Sequence, residues 1–444
     1  MKPRRRRISP TQAIIMGFAA AISVGTVLLA LPISHSQPVT FLDAFFTATS
    51  AVCVTGLVVV DTGGAFSRFG ETVIMLLIKS GGLGILSLGA LLALVTGRRL
   101  GFRQRMELQA QTSRLGVGGI VRFMRNLLLF TTTIELVGAL VLFVRFGAEL
   151  PAGEALFHSL FHSVSAFNNA GFSLYQDSLA RYAADPLVSL TVAALFILGG
   201  LGVVVAFELV DRYRDDTRRP FTLHSRVALS MMLILIFVAF VFMLVAEWSN
   251  PDTLGPLPVA QKVLAGFFQA VTPRTAGFNS LDFAGMHTGT LVFVMLLMFI
   301  GGNPGSTAGG VKTTTAAVLL TAMWSVARGH GRPVLFKRHI DAVLVTKAAV
   351  LSTLGVLILG GALTFLSFTE PRLDMLPLLF ETVSAFGTVG LSLGATSELS
   401  TLGRLIIITL MFLGRVGLVT FALAVAERRA QAAVRYPGEE LVVG

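Results

Sequence analysis

The chain has 444 residues, of which 54% are hydrophobic and only 13% are charged, and its formal net charge is +11. Soluble domains usually carry about 25% charged residues, so this composition excludes an ordinary soluble domain and is typical of a membrane protein. The single cysteine, Cys53, excludes an intramolecular disulfide and a cysteine-based zinc site.

Eight apolar runs follow one another along the chain. They lie near 12–33, 73–95, 127–146, 187–210, 227–246, 289–327, 342–366 and 402–427. A helical membrane span needs about 20 residues, and each run is long enough to supply one. The first run exceeds the apolar core of a secretory signal, about 7–15 residues, so we expect it to remain as a span. We therefore predict an all-α integral membrane protein with eight spans.

Positive charge is concentrated in alternate connecting segments. Most of the 35 Lys and Arg residues lie before residue 8 and in 98–125, 212–226, 328–347 and 428–435. The positive-inside rule places these segments in the cytoplasm, so both termini are expected there. This distribution explains the net charge without nucleic-acid binding, and it predicts attraction to anionic membrane lipids.

Four short stretches between the spans align without gaps, and each begins with Phe and ends with Gly. They are FTATSAVCVTG (46–56), FHSVSAFNNAG (161–171), FFQAVTPRTAG (267–277) and FETVSAFGTVG (380–390). A segment of about a dozen residues is typical of a re-entrant element rather than a span. Because a span precedes and follows each copy, the copies are expected to be parallel. The sequence thus predicts four parallel helix–pore helix–loop–helix repeats around a central pore.

Four glycine-ended loops around one axis would form a ring. Rings of backbone carbonyls replace the hydration shell of cations in selectivity filters, and the C-termini of four pore helices would add partial negative charge at the centre. This pattern predicts a path for a dehydrated monovalent cation. The alternative is that these are ordinary connecting loops in a chain rich in Phe and Gly, which four matching copies with the same flanks disfavour.

The stretch GGNPGSTAGGVKTTT (301–315) interrupts the sixth apolar run. Glycine and proline disfavour helix interiors by about 1 and 3 kcal/mol, so the stretch predicts a break within the membrane. Part of it is similar to a phosphate-binding P-loop, but that motif needs a preceding strand and a following soluble helix. Nucleotide binding at this stretch is therefore disfavoured.

The sequence resembles the potassium transporters of the Trk, Ktr and HKT superfamily. The resemblance lies in the loops CVTG, NNAG, RTAG and GTVG, in the interrupted stretch 301–315 and in LGRVGL near the end. Eight spans without an extra N-terminal pair are most similar to the Ktr branch. The resemblance implies channel-like K⁺ uptake across the cell membrane by a homodimer, bound to a cytosolic ring of nucleotide-binding regulatory subunits. It implies no catalysis and no organic cofactor, and it leaves open whether Na⁺ activates transport.

The resemblance also implies the site residues, position by position. The K⁺ filter would comprise Val54, Thr55, Gly56, Asn169, Ala170, Gly171, Thr275, Ala276, Gly277, Thr388, Val389 and Gly390. The gate would comprise Gly305, Ser306, Thr307, Ala308, Gly309, Gly310, Lys312 and Arg415. Sodium-carrying relatives often have serine at the first filter glycine, so Gly56 favours potassium. The tail LVVG (441–444) is implied to help the homodimer form.

The predicted organisation divides the chain into four repeats joined by cytosolic segments. The basic N-terminus covers 1–10 and the C-terminal tail covers 429–444. The repeats cover 11–97, 122–212, 224–330 and 341–428, and the loops between them cover 98–121, 213–223 and 331–340. The gate loop 301–315 lies in the third repeat.

Other features leave alternatives open. Lys79, within an apolar run, has either a functional role or a structural one between repeats. His158 and His162 are spaced like metal ligands on one helix face, but no third ligand has a recognisable spacing, which favours packing in the second pore helix. A secondary transporter with a broken-helix site at the midplane remains the alternative function. A membrane-embedded enzyme is disfavoured, because the sequence has no HExxH, no GxSxG and no paired carboxylates in a span.

Overall fold

A computed structural model describes residues 10–84, 120–214, 220–329 and 332–416, and the structural statements below refer to these residues. The predicted N-terminus up to residue 9, most of the loop 98–121, the ends of the second and eighth apolar runs and the tail with LVVG lie outside them. The described chain is almost entirely helical.

Sixteen α-helices follow one another in the described residues. They are α1 (Pro10–Leu29), α2 (Phe41–Val52), α3 (Thr62–Ala65), α4 (Arg68–Leu83), α5 (Ile120–Phe146), α6 (Ala152–Phe167), α7 (Pro186–Gly200), α8 (Val203–Arg214), α9 (Leu223–Glu247), α10 (Val259–Val271), α11 (Thr288–Phe299), α12 (Thr313–Ala327), α13 (Ala342–Thr369), α14 (Met375–Gly387), α15 (Ala395–Glu398) and α16 (Thr401–Val416). A short antiparallel hairpin, β1 (Val334–Leu335) and β2 (Arg338–His339), lies between α12 and α13. This hairpin was not predicted from the sequence.

The helices have the apolar character predicted for a membrane protein. Three of them, α5, α9 and α13, are each long and apolar enough to cross a membrane. The pair formed by α7 and α8 passes the same test together. Several shorter helices, including α2, α10 and α14, are apolar as well. These findings confirm an all-helical protein of the membrane class.

The fourth apolar run, 187–210, is not one helix. Its two halves, α7 and α8, meet at an angle of 101°. Gly202, at the bend, has a φ of +88°, a conformation that glycine adopts readily. A side chain at Gly202 would lie only 2.7 Å from the carbonyl oxygen of Pro304, and the N–H of Val203 donates to the carbonyl of Gly305 at 2.9 Å. The bend therefore packs against the interrupted stretch 301–315 of the third repeat.

Four short helices, α2, α6, α10 and α14, precede the glycine-ended loops. They contain 12, 16, 13 and 13 residues, too few to cross a hydrocarbon core of about 30 Å at 1.5 Å per residue. α2 begins with a capping box, in which the Asp43 N–H donates to Thr40 Oγ1 at 3.2 Å and the Thr40 N–H donates to Asp43 Oδ2 at 3.0 Å. We call these four the pore helices. They carry the loops described next.

Candidate functional site

The four glycine-ended loops, called loops 1 to 4 in chain order, share one backbone pattern. Two residues before each glycine stands a residue with positive φ: Val54 (+55°), Asn169 (+58°), Thr275 (+71°) and Thr388 (+49°). The glycines also have positive φ: Gly56 (+94°), Gly171 (+70°), Gly277 (+77°) and Gly390 (+93°). Positive φ is uncommon in residues other than glycine, so its recurrence at matched positions indicates a conformation that the surrounding structure enforces.

The four glycines form a closed ring. Each lies so close to the next loop that a side chain would press against a backbone carbonyl oxygen there. The pairs are Gly56 with Ala170, Gly171 with Ala276, Gly277 with Val389 and Gly390 with Thr55. The contacts pass from loop 1 to 2, 3 and 4 and return to loop 1, so loop 1 faces loop 3 and loop 2 faces loop 4. Only glycine satisfies both the conformation and the space at these positions.

Hydroxyl groups of the pore helices hold the loops in place. Ser50 Oγ accepts a hydrogen bond from the Gly56 N–H at 3.0 Å, and Ser384 Oγ accepts one from the Gly390 N–H at 3.1 Å. Ser165 Oγ donates to the carbonyl of Phe172 at 2.7 Å. These serines were not among the predicted site residues, although they occupy the same position in three of the four aligned stretches.

The pore helix before loop 3 does not follow the gapless alignment. Its fully buried phenylalanine is Phe268, whereas Phe267 is only partly buried. Its hydroxyl group comes from Thr272, which donates to the carbonyl of Phe278, while the aligned position holds Val271. Both features lie one residue closer to the glycine than the alignment predicts.

Backbone hydrogen bonds give the reason for this shift. In loop 1 the N–H of Thr55 donates to the carbonyl of Ser50, five residues back, at 2.8 Å. In loop 3 the N–H of Ala276 donates to the carbonyl of Thr272, four residues back, at 3.0 Å. The third loop is therefore one residue tighter, and the gapless alignment is wrong by one residue in its helix.

Three of the loop residues are threonines whose hydroxyls stand out. Thr55, Thr275 and Thr388 are fully buried, and their Oγ1 atoms have no hydrogen-bond partner within the part of the chain that the structure describes. Buried polar atoms are normally satisfied, so each exception calls for an explanation. An ion in the ring would supply a partner that these oxygens lack.

The broken segment, residues 300–312 between α11 and α12, lies against loops 2 and 4. A side chain at Gly309 would collide with the Oγ1 atom of Thr388. Thr307 Oγ1 lies 3.1 Å from the side-chain amide of Asn169. The structure thus brings predicted gate residues into contact with predicted filter residues.

The broken segment is closed on itself and fastened to the bend in the second repeat. The Gly301 N–H donates to the Val311 carbonyl at 2.9 Å, which brings its two ends together. The Thr307 N–H donates to the Gly199 carbonyl at 3.3 Å, and Asn303 Nδ2 donates to the Leu201 carbonyl at 3.0 Å. The segment is therefore ordered by tertiary contacts rather than by helical hydrogen bonds.

Two cationic side chains contact the broken segment. Arg415 donates through Nη1 to the carbonyl of Thr307 and through Nη2 to the carbonyl of Gly81 in α4. Lys312 Nζ donates to the carbonyl of Ala308 at 2.5 Å. Arg415 therefore clamps the segment to the first repeat, whereas Lys312 stays within the segment.

The remaining predicted gate residues shape the turns of the segment. Ser306 Oγ donates to the carbonyl of Asn303 at 2.6 Å. Gly305 and Gly310 have φ values of +71° and +65°, which favour glycine at both positions.

Lys79 occupies a structural position between two repeats. Its Nζ atom forms an ion pair with Glu135 of α5. The other carboxylate oxygen of Glu135 accepts from Asn168 Nδ2 at 2.8 Å, and Asn168 directly precedes the filter residue Asn169. Of the two roles left open by the sequence, the geometry favours the bridge.

The two histidines of the second pore helix pack with aromatic neighbours. The ring of His162 stacks on that of Tyr175, with 5.1 Å between their centroids. The ring centroids of His158 and His162 are 6.1 Å apart. Within the described ranges, no group of three His, Cys, Asp or Glu side chains is arranged to hold a metal ion. This arrangement agrees with the packing interpretation.

Comparison with known proteins places the chain in a family. The TrkH family model, described as a cation transport protein, matches residues 4–434. The chain is 45% identical to Ktr system potassium uptake protein B of Bacillus subtilis, over 99% of this chain and 97% of that protein. It is 40% identical to potassium/sodium uptake protein NtpJ of Enterococcus hirae, over 100% of this chain and 99% of that protein.

A solved structure shows the same fold. The potassium transporter TrkH from Vibrio parahaemolyticus superposes with a TM-score of 0.73 and 18% sequence identity, covering 95% of this chain and 86% of the other. The matched proteins are named as transporters rather than enzymes, and the resemblance drawn from the sequence motifs is confirmed. The chain therefore belongs to the TrkH family of cation transport proteins.

Proposed function

We propose that this protein takes up potassium ions across the cell membrane, and that the ions pass in a channel-like manner through the ring of four loops. The closed ring of four glycines with matched positive φ values carries the proposal. Backbone carbonyls around such a ring can replace the water molecules around a cation. The relative from Bacillus subtilis, named as a potassium uptake protein, supports the choice of ion.

The proposed filter consists of the last three residues of each loop. Non-helical backbone at membrane depth is stable only where protein or a water-filled path satisfies its polar groups. The free hydroxyls of Thr55, Thr275 and Thr388 supplement the carbonyls as ligands. Because the relative NtpJ is named for both potassium and sodium, tests of the filter should measure both ions.

The proposed architecture has eight spans in four parallel repeats, with both termini in the cytoplasm. Each pore helix lies in the chain between two apolar segments: α1 and α4, α5 and the α7–α8 pair, α9 and the α11–α12 pair, and α13 and α16. Two spans per repeat return the chain to the same side of the membrane. The Arg- and Lys-rich connections favour the cytoplasm on that side.

The broken segment is the proposed gate. It contacts loops 2 and 4 through Thr307 and Gly309, a position in which it obstructs the path that leads from the ring. Arg415 would hold it there through its two hydrogen bonds. Withdrawal of the segment would open the path.

The proposed assembly is a homodimer on a cytosolic ring of nucleotide-binding regulatory subunits. Three relatives are named as proteins of a Ktr system, which supports a multicomponent assembly. The basic connections offer a positively charged face to such a partner. Light scattering of the purified protein in detergent should give the mass of two chains, and a mass of one chain would contradict the dimer.

Growth of a potassium-uptake-deficient bacterium on low-K⁺ medium tests the function. We expect the chain to restore growth, and a candidate cytosolic subunit to increase uptake. The variant Gly390→Ala should fail, because its side chain would collide with the Thr55 carbonyl. The matched control Gly360→Ala should succeed, because Gly360 of α13 has nothing within 4 Å of the added atom.

A flux measurement of both ions distinguishes the alternative function. If uptake saturates at a fixed stoichiometry with a second ion, the protein is a secondary transporter and the channel-like proposal is wrong. No restoration of growth by an abundant, membrane-inserted protein would contradict potassium uptake itself.

A further inference from the structure

A column of polar side chains lies behind the four loops. In each pore helix, the residue that follows the buried phenylalanine is polar and at most 1% exposed: Thr47, His162, Gln269 and Glu381. The column becomes visible only after the third helix is shifted by one residue, since the gapless alignment pairs Phe268 with the other three. Polar groups are costly to bury among apolar helices, so each needs a partner or a role.

Glu381 binds the segment that leaves loop 4. Its Oε1 atom accepts hydrogen bonds from the Ser392 hydroxyl, the Thr396 hydroxyl at 2.8 Å and the Thr396 N–H at 3.2 Å. Ser392 lies two residues beyond Gly390. Glu381 is completely buried, and its Oε2 atom has no hydrogen-bond partner in the ranges that the structure covers.

His162 makes the corresponding contact for loop 2. Its Nδ1 atom faces the carbonyl of His158 at 2.8 Å and therefore carries the proton. Its Nε2 atom is then an acceptor, and it faces the Ser173 hydroxyl at 3.0 Å and the Leu174 N–H at 3.4 Å. The one proton of the Ser173 hydroxyl is shared between this nitrogen and the Ser178 carbonyl at 3.1 Å. Ser173 lies two residues beyond Gly171, as Ser392 lies beyond Gly390. Loops 2 and 4, which face each other across the ring, thus have the same contact.

The other two loops differ. In loop 3, Gln269 Nε2 donates to the carbonyl of Leu281, four residues beyond Gly277, at 2.8 Å. In loop 1, the Thr47 hydroxyl has no partner among the described residues. Three loops are therefore tethered to their pore helices beyond the glycine, and the first loop lacks this tether.

We propose that His162, Gln269 and Glu381 are positioning residues, which fix the outer ends of loops 2 to 4 and thereby set the selectivity of the ring for potassium over sodium. Loop 4 shows the arrangement most fully: Ser384 holds the N–H of Gly390 on one side, and Glu381 holds Ser392 on the other. A glycine held on both sides keeps its carbonyl in place. Functional groups must be held within about 0.5 Å to work, and these tethers supply that constraint.

The test compares variants of one tether in protein reconstituted into lipid bilayers. Ser392→Ala removes one donor to Glu381, together with the oxygen that accepts from the Gly394 N–H at 2.9 Å. Glu381→Met keeps a buried side chain of similar length but removes the oxygen that accepts the three hydrogen bonds. The matched control is Thr47→Val, which changes the same column where there is no tether. The measurement is the K⁺ to Na⁺ permeability ratio from reversal potentials under bi-ionic conditions.

We expect the ratio to fall about tenfold in Ser392→Ala and in Glu381→Met, a change that corresponds to about 1.4 kcal/mol. The double variant should fall no further than the lower single variant, because both changes remove one interaction. Thr47→Val should keep the parent ratio. Ser173→Ala should repeat the effect in loop 2.

Two results separate the failure of this inference from failure of the proposed function, on which it rests. If the parent protein does not select potassium over sodium, the proposed function fails. If the parent is selective and the folded variants Ser392→Ala and Ser173→Ala keep its permeability ratio, the positioning role is wrong. This conclusion holds even if the yield or the thermal stability of the variants falls. These two serines are only partly buried, so they decide the question if Glu381→Met does not fold.

Discussion

Replacement of Arg415 by alanine should open the proposed gate. Arg415 is the clamp between the broken segment and α4, because it donates to the carbonyls of both Thr307 and Gly81. Hydrogen bonds that involve a charged group are worth about 1.5–3 kcal/mol each. At about 1.5 kcal/mol per bond, the loss of one or both bonds from the blocked state would shift the gate equilibrium between about tenfold and about 150-fold.

The assay is K⁺ flux into proteoliposomes, divided by the amount of folded protein that size-exclusion chromatography reports. The flux of Arg415→Ala should rise toward the limit set by a fully open path, and its dependence on the cytosolic partner should weaken. The matched control is Arg404→Ala in the same helix. Arg404 pairs with Asp43 at 2.6 Å near the other end of α16, so we expect parent-like flux from this control.

A second substitution separates the clamp from a simple charge barrier. Lysine keeps the positive charge but cannot reach two carbonyls with one planar fork. If the clamp closes the gate, Arg415→Lys should also raise flux; if the charge alone repels cations, it should not. Unchanged or reduced flux per folded molecule in Arg415→Ala would refute the gate assignment.

Three further predictions concern the filter, the broken segment and the bridge between repeats. Gly56→Ser should lower the K⁺ to Na⁺ permeability ratio, because its side chain would press on the Ala170 carbonyl. Reversal potentials under bi-ionic conditions measure this ratio, with Gly360→Ser as the control. An unchanged ratio would count against loop 1 as part of the filter. Removal of residues 305–309 should raise K⁺ flux per folded molecule and weaken its dependence on the cytosolic partner, whereas lower flux would mean that these glycines serve only helix packing. Lys79→Met should lower the free energy of unfolding by about 3–5 kcal/mol, since Glu135 would lose its partner. Arg181→Met, which breaks an exposed pair with Asp177, should cost only about 0–1 kcal/mol, and equal shifts in melting temperature would contradict this role of Lys79.

The sequence predicted features whose signal is local. The apolar runs predicted the class of protein, and the glycines and proline of 301–315 predicted where the helix between Thr288 and Ala327 is interrupted. The recurring terminal glycine marked four loops that turn out to share one backbone pattern. Each of these signals rests on propensities that glycine, proline and apolar residues carry with them.

Features that depend on distant contacts were missed. The bend at Gly202 sits inside an uninterrupted apolar run, and it depends on Pro304 and Gly305, about a hundred residues away. The partners of Arg415 are backbone carbonyls, which leave no mark on the sequence. The polar column was hidden because its members differ in chemistry and because loop 3 is one residue tighter than the others.

Direct observation of ions in the ring tests the central claim. A crystal of the protein grown in Rb⁺, a heavy substitute for K⁺, should show anomalous scattering on the axis of the ring, between the carbonyls of Thr55, Ala170, Ala276 and Val389. Replacement of Rb⁺ by Na⁺ should remove that density. If Rb⁺ instead binds only at the breaks in the helices, between Gly202 and the broken segment, the four loops are not the filter and the protein transports its ion by another route.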